Sequence, residues 1–514
     1  MWCAPFCPKG FSDEFIGVIL RVYVFVKGLA GAIILYSTLP LYRSEYGLSG
    51  LEYQTYSTIA LLPWTMKPLV GAIVDSYPWG GYKKRNYAVL AVCISALSAF
   101  LLFIKTSVNV STGFLFTSSF GIMMIDLIYE GEYSSRMAFR GGSATMPSFV
   151  WSCIMAGSVA GAILVGPLGD QGDIRYAYLF AAICILQLLF SIIVHPAKSF
   201  YKDKIKLKSA PELSENIIPN NERRNNPHDK EKILPREWTL CVLMAVVSIV
   251  LMTMLFTGSN YPWSTLGFSL LCVVCLHTWA YYVYHGKEQT VDGKKRAHQL
   301  WTYNLYMFLV EAFYVNISGA QDFWFTADDT CVTNGPAFSL SLYTTTVTII
   351  SAIAGILASM FYSRSLMKWS FRSAVQMAIV FQAASSFTDI AIAKRWNITH
   401  LGISDPLFFL LGDAVITPVA SMLKLIPMAI LTSRIVERGK ETMTYSLLAG
   451  FQNMGVVFSK IFGLALIQSF EIKTIAPFCS FIYYPALILF AHMIMPMLSF
   501  VLAFVMLPPI QQYK

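Results

Sequence analysis

An all-α protein that crosses a membrane many times is the fold class this sequence predicts, and three observations predict it. Only 13% of its 514 residues are charged and 56% are hydrophobic, with a mean hydropathy of +0.56. A soluble domain carries about 25% charged residues, so water cannot be the only solvent. Apolar runs recur along the whole chain, each near the ~20 residues a helix needs to cross a ~30 Å hydrocarbon core. The third observation is a charge asymmetry, which becomes visible once the spans are placed.

Fourteen spans are read, with twelve as the alternative count. The first six centre in 16–42, 52–74, 87–104, 113–132, 147–168 and 176–194. The polar segment 195–236 follows, rich in Lys, Asn, Glu and Pro. It cannot bury a core and reads as a disordered cytoplasmic linker. Eight further spans lie in 238–257, 264–284, 300–318, 337–362, 374–393, 406–433, 443–470 and 478–506.

With both termini in the cytoplasm, 27 of the 38 Lys and Arg fall in inside segments, six in outside segments and five within spans. That is the positive-inside bias, so the net charge of +9 reflects topology and not a nucleic-acid patch. Three sequons, at Asn109, Asn316 and Asn397, fall on the outside or at its edge; Asn109 and Asn397 are the expected glycosylation sites. No cleaved signal peptide is expected, and the plasma membrane is the expected location. The ten cysteines are scattered, most of them in apolar segments; Cys272-x-x-Cys275 reads as a pair of buried packing residues, and Cys3 and Cys7 are open to acylation.

A weak repeat organises the spans. The stretch "GAIVDSYPWGGYKKR", at the end of the second span, has an echo in "GILASMFYSRSLMKWSFR" after the tenth. The fourth span, "GIMMIDLIYEGEYSSR", is matched by the twelfth, "FLLGDAVITPVASMLKLIPMAILTSR", and the fifth, "GSVAGAILVG", by the thirteenth, "LLAGFQNMGVVFSKIFGLAL". The offset is eight spans each time, where two parallel six-helix bundles would give six. An inserted hairpin explains the extra two. The expected domains are a six-helix bundle at 1–194, the linker at 195–236, a two-helix hairpin at 237–285 and a second six-helix bundle at 286–514.

The Gly-x-x-x-Asp of "GAIVDSYPWGGYKKR", with its basic cluster, resembles the loop signature of the major facilitator superfamily. Together with "IDLIYEGEYSSRM" and "SLLAGFQNMG", the wider "LPWTMKPLVGAIVDSYPWGGYKKRNY" resembles the folate–biopterin transporter family, most closely its trypanosomatid branch. The likeness covers most of the chain outside the termini and the linker. It implies two bundles that rock about a central cavity lined by spans 1, 2, 4, 5, 9, 10, 12 and 13.

Residue chemistry suggests what these positions do. Pro63 and Pro68 remove backbone donors and can kink the second span. Gly71 permits a close backbone approach, and Asp75 can meet the positive N-terminal end of a helix from the other half. Lys83, Lys84 and Arg85 offer ion-pair partners, completing a candidate gate on the inside face; a plain topological anchor is the competing reading.

Ionisable groups at mid-bilayer cost roughly 2.5–3.5 kcal/mol on insertion scales and usually face a cavity. Lys27, Asp126, Glu130, Glu311, Asp413, Lys424 and Lys460 all fall in the cavity-lining spans, whereas Asp389 reads as a structural contact. Lys67 lies between the inside edge and the cavity.

A folate would present two carboxylates to Lys27, Lys424 or Lys460, and its aminopyrimidinone edge to Asp126 or Asp413. Glu130, Asp126 and Glu311 are the candidate proton carriers, Asp126 and Glu130 being four apart on one helical face. Internal salt bridges such as Lys27 to Asp126 are the competing structural reading.

The expected function is secondary active transport of folates or pteridines by alternating access, coupled to protons. No cofactor, metal or nucleic acid is expected, lipids and the substrate are the partners, and a monomer is favoured. The alternative is transport of S-adenosylmethionine, which the same branch includes. A non-transporting sensor or an integral membrane enzyme is a remote reading. The sequence lacks G-x-x-x-x-G-K-[ST] and H-E-x-x-H, and its seven histidines are isolated.

Overall fold

The computed structural model describes residues 8, 11–80, 82, 84–138, 145–193, 233–257, 261–286, 291–435 and 441–509. Among the described residues, apart from the short turn Trp396–Thr399, fourteen helical stretches run in order as α1 (Asp13–Glu45), α2 (Gly50–Ser76), α3 (Arg85–Leu101), α4 (Val108–Ala138), α5 (Thr145–Gln171), α6 (Arg175–Ile193), α7 (Pro235–Thr257) and α8 (Pro262–His285). They continue as α9 (Val291–Ala312, resuming at Ser318–Thr326), α10 (Ser341–Lys368), α11 (Phe371–Ala393), α12 (Asp405–Thr432), α13 (Glu441–Ser469) and α14 (Tyr484–Met506).

Among the described residues twelve helices are long and apolar enough to cross a membrane. The sequence reading of fourteen exceeds this by two. One is α3, apolar but only 17 residues long. The other is α9, which opens on the polar "VDGKKR" and breaks between Ala312 and Ser318.

Local sequence shapes the helices that matter most. Ser12 caps α1 by accepting from Phe15 N–H, and Asp13 and Glu14 suit its positive first turn. Within α1 the stretch Arg21–Ala30 winds as a π-helix, an irregularity that often accompanies functional positions. Lys27 lies in it. α2 begins with a Ser49–Glu52 capping box. At Pro63 it tightens into a 3-10 turn, Leu62–Met66, before the α-helix resumes at Lys67.

Buried apolar residues of α1–α6 form one core, and those of α9–α14 form two more. α7 and α8 bury Met244, Leu251 and Leu276 with Ile59 of α2, Phe308 of α9 and Phe451 of α13. The pair therefore covers the seam where α2 meets α13. The two halves also meet where α5 packs on α10.

Large apolar side chains remain on the outer faces, among them Leu97, Ile183, Phe190, Leu271, Phe361 and Val505. In water such a surface would drive association; lipid tails solvate it without cost.

Among the described residues two cysteines are paired. Cys331, between α9 and α10, is disulfide-bonded to Cys479, between α13 and α14, with Cα atoms 5.2 Å apart. Their separation of 148 residues in the chain hides the pairing from sequence. Cys272 and Cys275 are free thiols in α8, Cys275 exposed and Cys272 half-buried, which corrects the reading of both as buried packing residues. Asn397 also departs: its side chain is fully buried, its amide donating to Asp405 Oδ1 at 2.7 Å, which leaves no room for a glycan. Asn109 is exposed. Cys3, Cys7, Lys83 and residues 195–232 of the linker lie outside the described residues.

Candidate functional site

Four charged side chains from three helices of the first half converge at the centre of the bundle. Asp126 and Glu130 present one face of α4; Lys27 reaches them from α1 and Lys67 from α2. Lys27 Nζ stands 2.7 Å from Asp126 Oδ1 and 3.6 Å from Glu130 Oε1. Lys67 Nζ stands 2.8 Å from Asp126 Oδ2 and 2.7 Å from Glu130 Oε2. Each carboxylate thus faces both lysines. The Asp126 side chain is 0% exposed and that of Lys67 3%.

Aromatic faces complete the setting. Lys27 Nζ lies 5.5 Å from the Trp64 ring, 5.6 Å from Tyr23 and 5.7 Å from Trp151; Lys67 Nζ lies 4.9 Å from Trp64. At these distances the ring quadrupoles attract both ammonium groups. The competing structural reading, a Lys27–Asp126 salt bridge, is present as a contact. Yet Lys27, Lys67 and Glu130 also line a cavity of about 210 Å³, with Trp64, Trp151 and Gln452 among its other walls. Sites for drug-sized ligands run to roughly 300–1,000 Å³, so the cavity here is contracted.

The second half contributes a smaller polar chain. Lys424 of α12 donates to Glu311 Oε2 of α9 at 2.9 Å, and Gln452 of α13 donates to Glu311 Oε1 at 2.9 Å. Lys424 and Glu311 thus sit directly behind the cavity wall. Asn453 donates to the Trp64 carbonyl at 3.1 Å, tying α13 to the 3-10 turn of α2.

Of the sequence candidates only Lys27 and Glu130 line the cavity; Asp126, Lys424 and Glu311 lie behind its wall, and Asp413 and Lys460 turn elsewhere. Asp413 turns toward α11, accepting from Ser385 and Thr417 at 2.6 Å each. Lys460 points into the α2–α13 seam, where its Nζ lies 3.3 Å from Ser57 Oγ. A face shared on one helix does not say which neighbour that face meets. Asp389 accepts from Gln321 at 3.2 Å, a structural contact.

The gate candidates lie where α2 ends. Asp75 Oδ2 accepts from the Met443 N–H at 2.9 Å, in the first turn of α13. A Cβ added at Gly71 would stand only 2.6 Å from Ser446 Oγ and 3.3 Å from Met443 Cα, so glycine permits this approach of the halves. Lys84 pairs with Glu132 of α4 at 3.0 Å, within its own half, and the Arg85 guanidinium lies 5.0 Å from the Tyr82 ring.

At the opposite end Asp170 of α5 accepts from the Leu340 and Ser341 N–H groups, 2.7 and 2.9 Å away, at the start of α10. Gly50 and Gly319 meet there so closely that a Cβ on either would strike the other's carbonyl oxygen. Contacts between the halves therefore exist at both ends of the cavity.

Residues 27–513 match the model of the BT1 family. This chain belongs to the BT1 family. It is 23% identical over 468 residues to "Probable folate-biopterin transporter 6" of Arabidopsis thaliana, covering 89% of this chain and 76% of the relative. It is 22% identical over 448 residues to "Folate-biopterin transporter" of Synechocystis sp., covering 86% and 72%. In fold it is similar to a POT family transporter crystallised with a thioalcohol-conjugated peptide (TM-score 0.65, 12% identity, 95% of this chain and 94% of that one). The nucleoside transporter NupG is also similar (TM-score 0.55, 13% identity, 96% and 99%). The BT1 chain thus shares the fold of these two transporters, the major facilitator fold expected from the sequence.

Sequence reasoning left Lys67 undecided and missed Trp64, Trp151 and Gln452. The signal for Lys67 was its place between two prolines; nothing in the sequence marks which tryptophans face the lysines.

Proposed function

We propose that this BT1 chain carries folates or pteridines across the membrane by alternating access, coupled to protons. The observation that carries the reading is the cavity itself, where two lysines, the Glu130 carboxylate and two indoles meet between the halves of a transporter fold, with Asp126 buried behind them. The relatives in Arabidopsis thaliana and Synechocystis sp. are named as folate-biopterin transporters, which supports the substrate class.

Lys27, with Lys424 behind the wall, is assigned to the glutamate carboxylates of a folate, and Trp64 and Trp151 to stacking on the pterin ring. The Lys27–Glu130 contact, 3.6 Å, is the longest of the four. A substrate carboxylate arriving at Lys27 competes with Glu130, which keeps its 2.7 Å contact with Lys67, and Glu130 is assigned as the proton carrier. Asp126 and Glu311 remain further proton candidates. Lysine pairing of both central acids favours an anionic substrate over S-adenosylmethionine, whose sulfonium would need a bare carboxylate.

Asp75, Gly71, Lys84 and Arg85 are assigned to the cytoplasmic gate, with both termini on that side of the plasma membrane. The Cys331–Cys479 bond supports this orientation, because it joins two loops read as outside, where disulfides persist. The trypanosomatid likeness of the motifs, the two-bundle plan and a monomer belong to the same reading.

The test is uptake of labelled folate and biopterin into proteoliposomes, with S-adenosylmethionine as competitor. Uptake of a pterin that rises with an inward proton gradient is expected. Transport of S-adenosylmethionine alone would refute the substrate class.

A further inference from the structure

Asp322 belongs to none of the sites above. It lies on the second segment of α9, and its two oxygens accept from tyrosines on different helices. Tyr53 of α2 donates to Oδ2 at 2.7 Å, and Tyr343 of α10 donates to Oδ1 at 2.8 Å. The Tyr53 bond crosses between the two halves. It does so one turn from the Gly50–Gly319 contact and beside the bond from Gly50 N–H to Thr474 Oγ1, 2.7 Å.

Among the described residues no lysine or arginine nitrogen lies within 4 Å of the Asp322 carboxylate. The charged and titratable groups that face it are Tyr53 on α2, Tyr343 on α10, Lys460 on α13, Arg43 on α1 and Tyr484 on α14. Lys460 is buried, with Ser57 Oγ as its hydrogen-bond partner at 3.3 Å. Arg43 is engaged by Thr326, donating to its carbonyl at 2.9 Å. Both cations act on Asp322 at a distance, and neither neutralises it by contact.

Burial opposes the charge on this carboxylate, while its two hydroxyl donors and the remote cations favour it. Hydrogen bonds to an ionised acceptor are roughly twice as strong as neutral ones. A proton on Asp322 therefore weakens the Tyr53 bond and the pull of Lys460 in one step, loosening this end of the bundle.

We infer that Asp322 is a proton-binding site that latches the end of the bundle away from Asp75. Deprotonated, it holds α2 against α9; protonated, it lets them part. The inference rests on the transport reading only for its role in a cycle, because the latch itself can be read in the empty protein.

The experiment is hydrogen–deuterium exchange on the full chain in lipid nanodiscs, at acidic and neutral pH, corrected for the intrinsic pH dependence of exchange. Peptides covering 48–56 and 316–326 are expected to exchange faster at acidic pH. Asp322→Asn and Tyr53→Phe are expected to abolish that response and exchange fast at both pH values; Asp322→Glu should restore it. A wild-type protein without the response, or a Tyr53→Phe protein that keeps it, overturns the inference even where Asp322→Asn does not fold. Absence of pterin uptake refutes the transport reading and leaves this measurement standing.

Discussion

Asp75 of one half accepts a hydrogen bond from the backbone N–H of Met443 in the other, 2.9 Å away, in the first turn of α13. A carboxylate at a helix N-terminus is worth about 0.3–1 kcal/mol, and up to ~2 kcal/mol where partly buried. Asp75→Asn keeps an acceptor and removes the charge. It should shift the balance of open and closed states by about 2- to 30-fold, using about 1.4 kcal/mol per factor of ten. Transport rate should change while substrate affinity in the closed form does not. Cysteine accessibility at this end, indistinguishable from wild type, would count against the gate.

Gly71 tests the same contact by volume. Its Cβ position lies 2.6 Å from Ser446 Oγ, so Gly71→Leu should prevent α2 and α13 from closing. The variant should fold and insert, because the face it crowds is the seam and not the core of either half. Uptake should be lost and this end should label more readily. Normal turnover by Gly71→Leu would show that the seam does not need to close this tightly.

Lys67 and Asp126 are a stability test. Removing one partner of a buried pair costs about 3–5 kcal/mol, since the other charge stays behind. Lys67→Ala should lower the melting temperature in detergent sharply, with Lys67→Ala/Glu130→Gln recovering part of it. Lys27, on the cavity side of the cluster, should cost less stability and more affinity. Equal melting temperatures for the two lysine variants would contradict this division.

Substrate recognition separates the two remaining lysine candidates. Lys27→Ala and Lys424→Ala should each weaken folate binding more than biopterin binding, because biopterin lacks the glutamate carboxylates. Lys460→Ala should leave both affinities near wild type, as the side chain points into the seam. Unchanged folate affinity in both of the first two variants would remove lysine recognition of the tail.

Glu130→Gln addresses coupling. With no titrating carboxyl at this position, the pH dependence of uptake should flatten while exchange of internal for external substrate persists. An unaltered pH profile would leave Asp126, Glu311 or Asp322 as the carrier.

Much of the fold was legible because its causes are local. Apolar runs, the loop charge bias and the eight-span offset each report on a single segment or its copy. The sequence reading placed spans at both helices outside the count of twelve; α3 is short, and α9 carries "VDGKKR" and a break, so neither is long and apolar enough to be counted with the rest. The acidic face of α4 was legible from the i, i+4 spacing of Asp126 and Glu130. The partner of that face was not, since Lys67 lies 59 residues away from Asp126 on a helix reshaped by Pro63.

By itself the sequence determined that the chain lives in lipid, where its apolar helices run and which loops carry the bases, because hydrocarbon acts on one helix at a time. Tertiary structure alone decided which charges meet. It drew Lys27 and Lys67 onto one acidic pair, turned Asp413 and Lys460 away from the cavity, joined Cys331 to Cys479, and placed Asp322 between two tyrosines. The physical reason is that an ion pair, a disulfide or an inter-half hydrogen bond depends on the rotation and offset of two helices against each other, and periodicity within one helix carries no record of either.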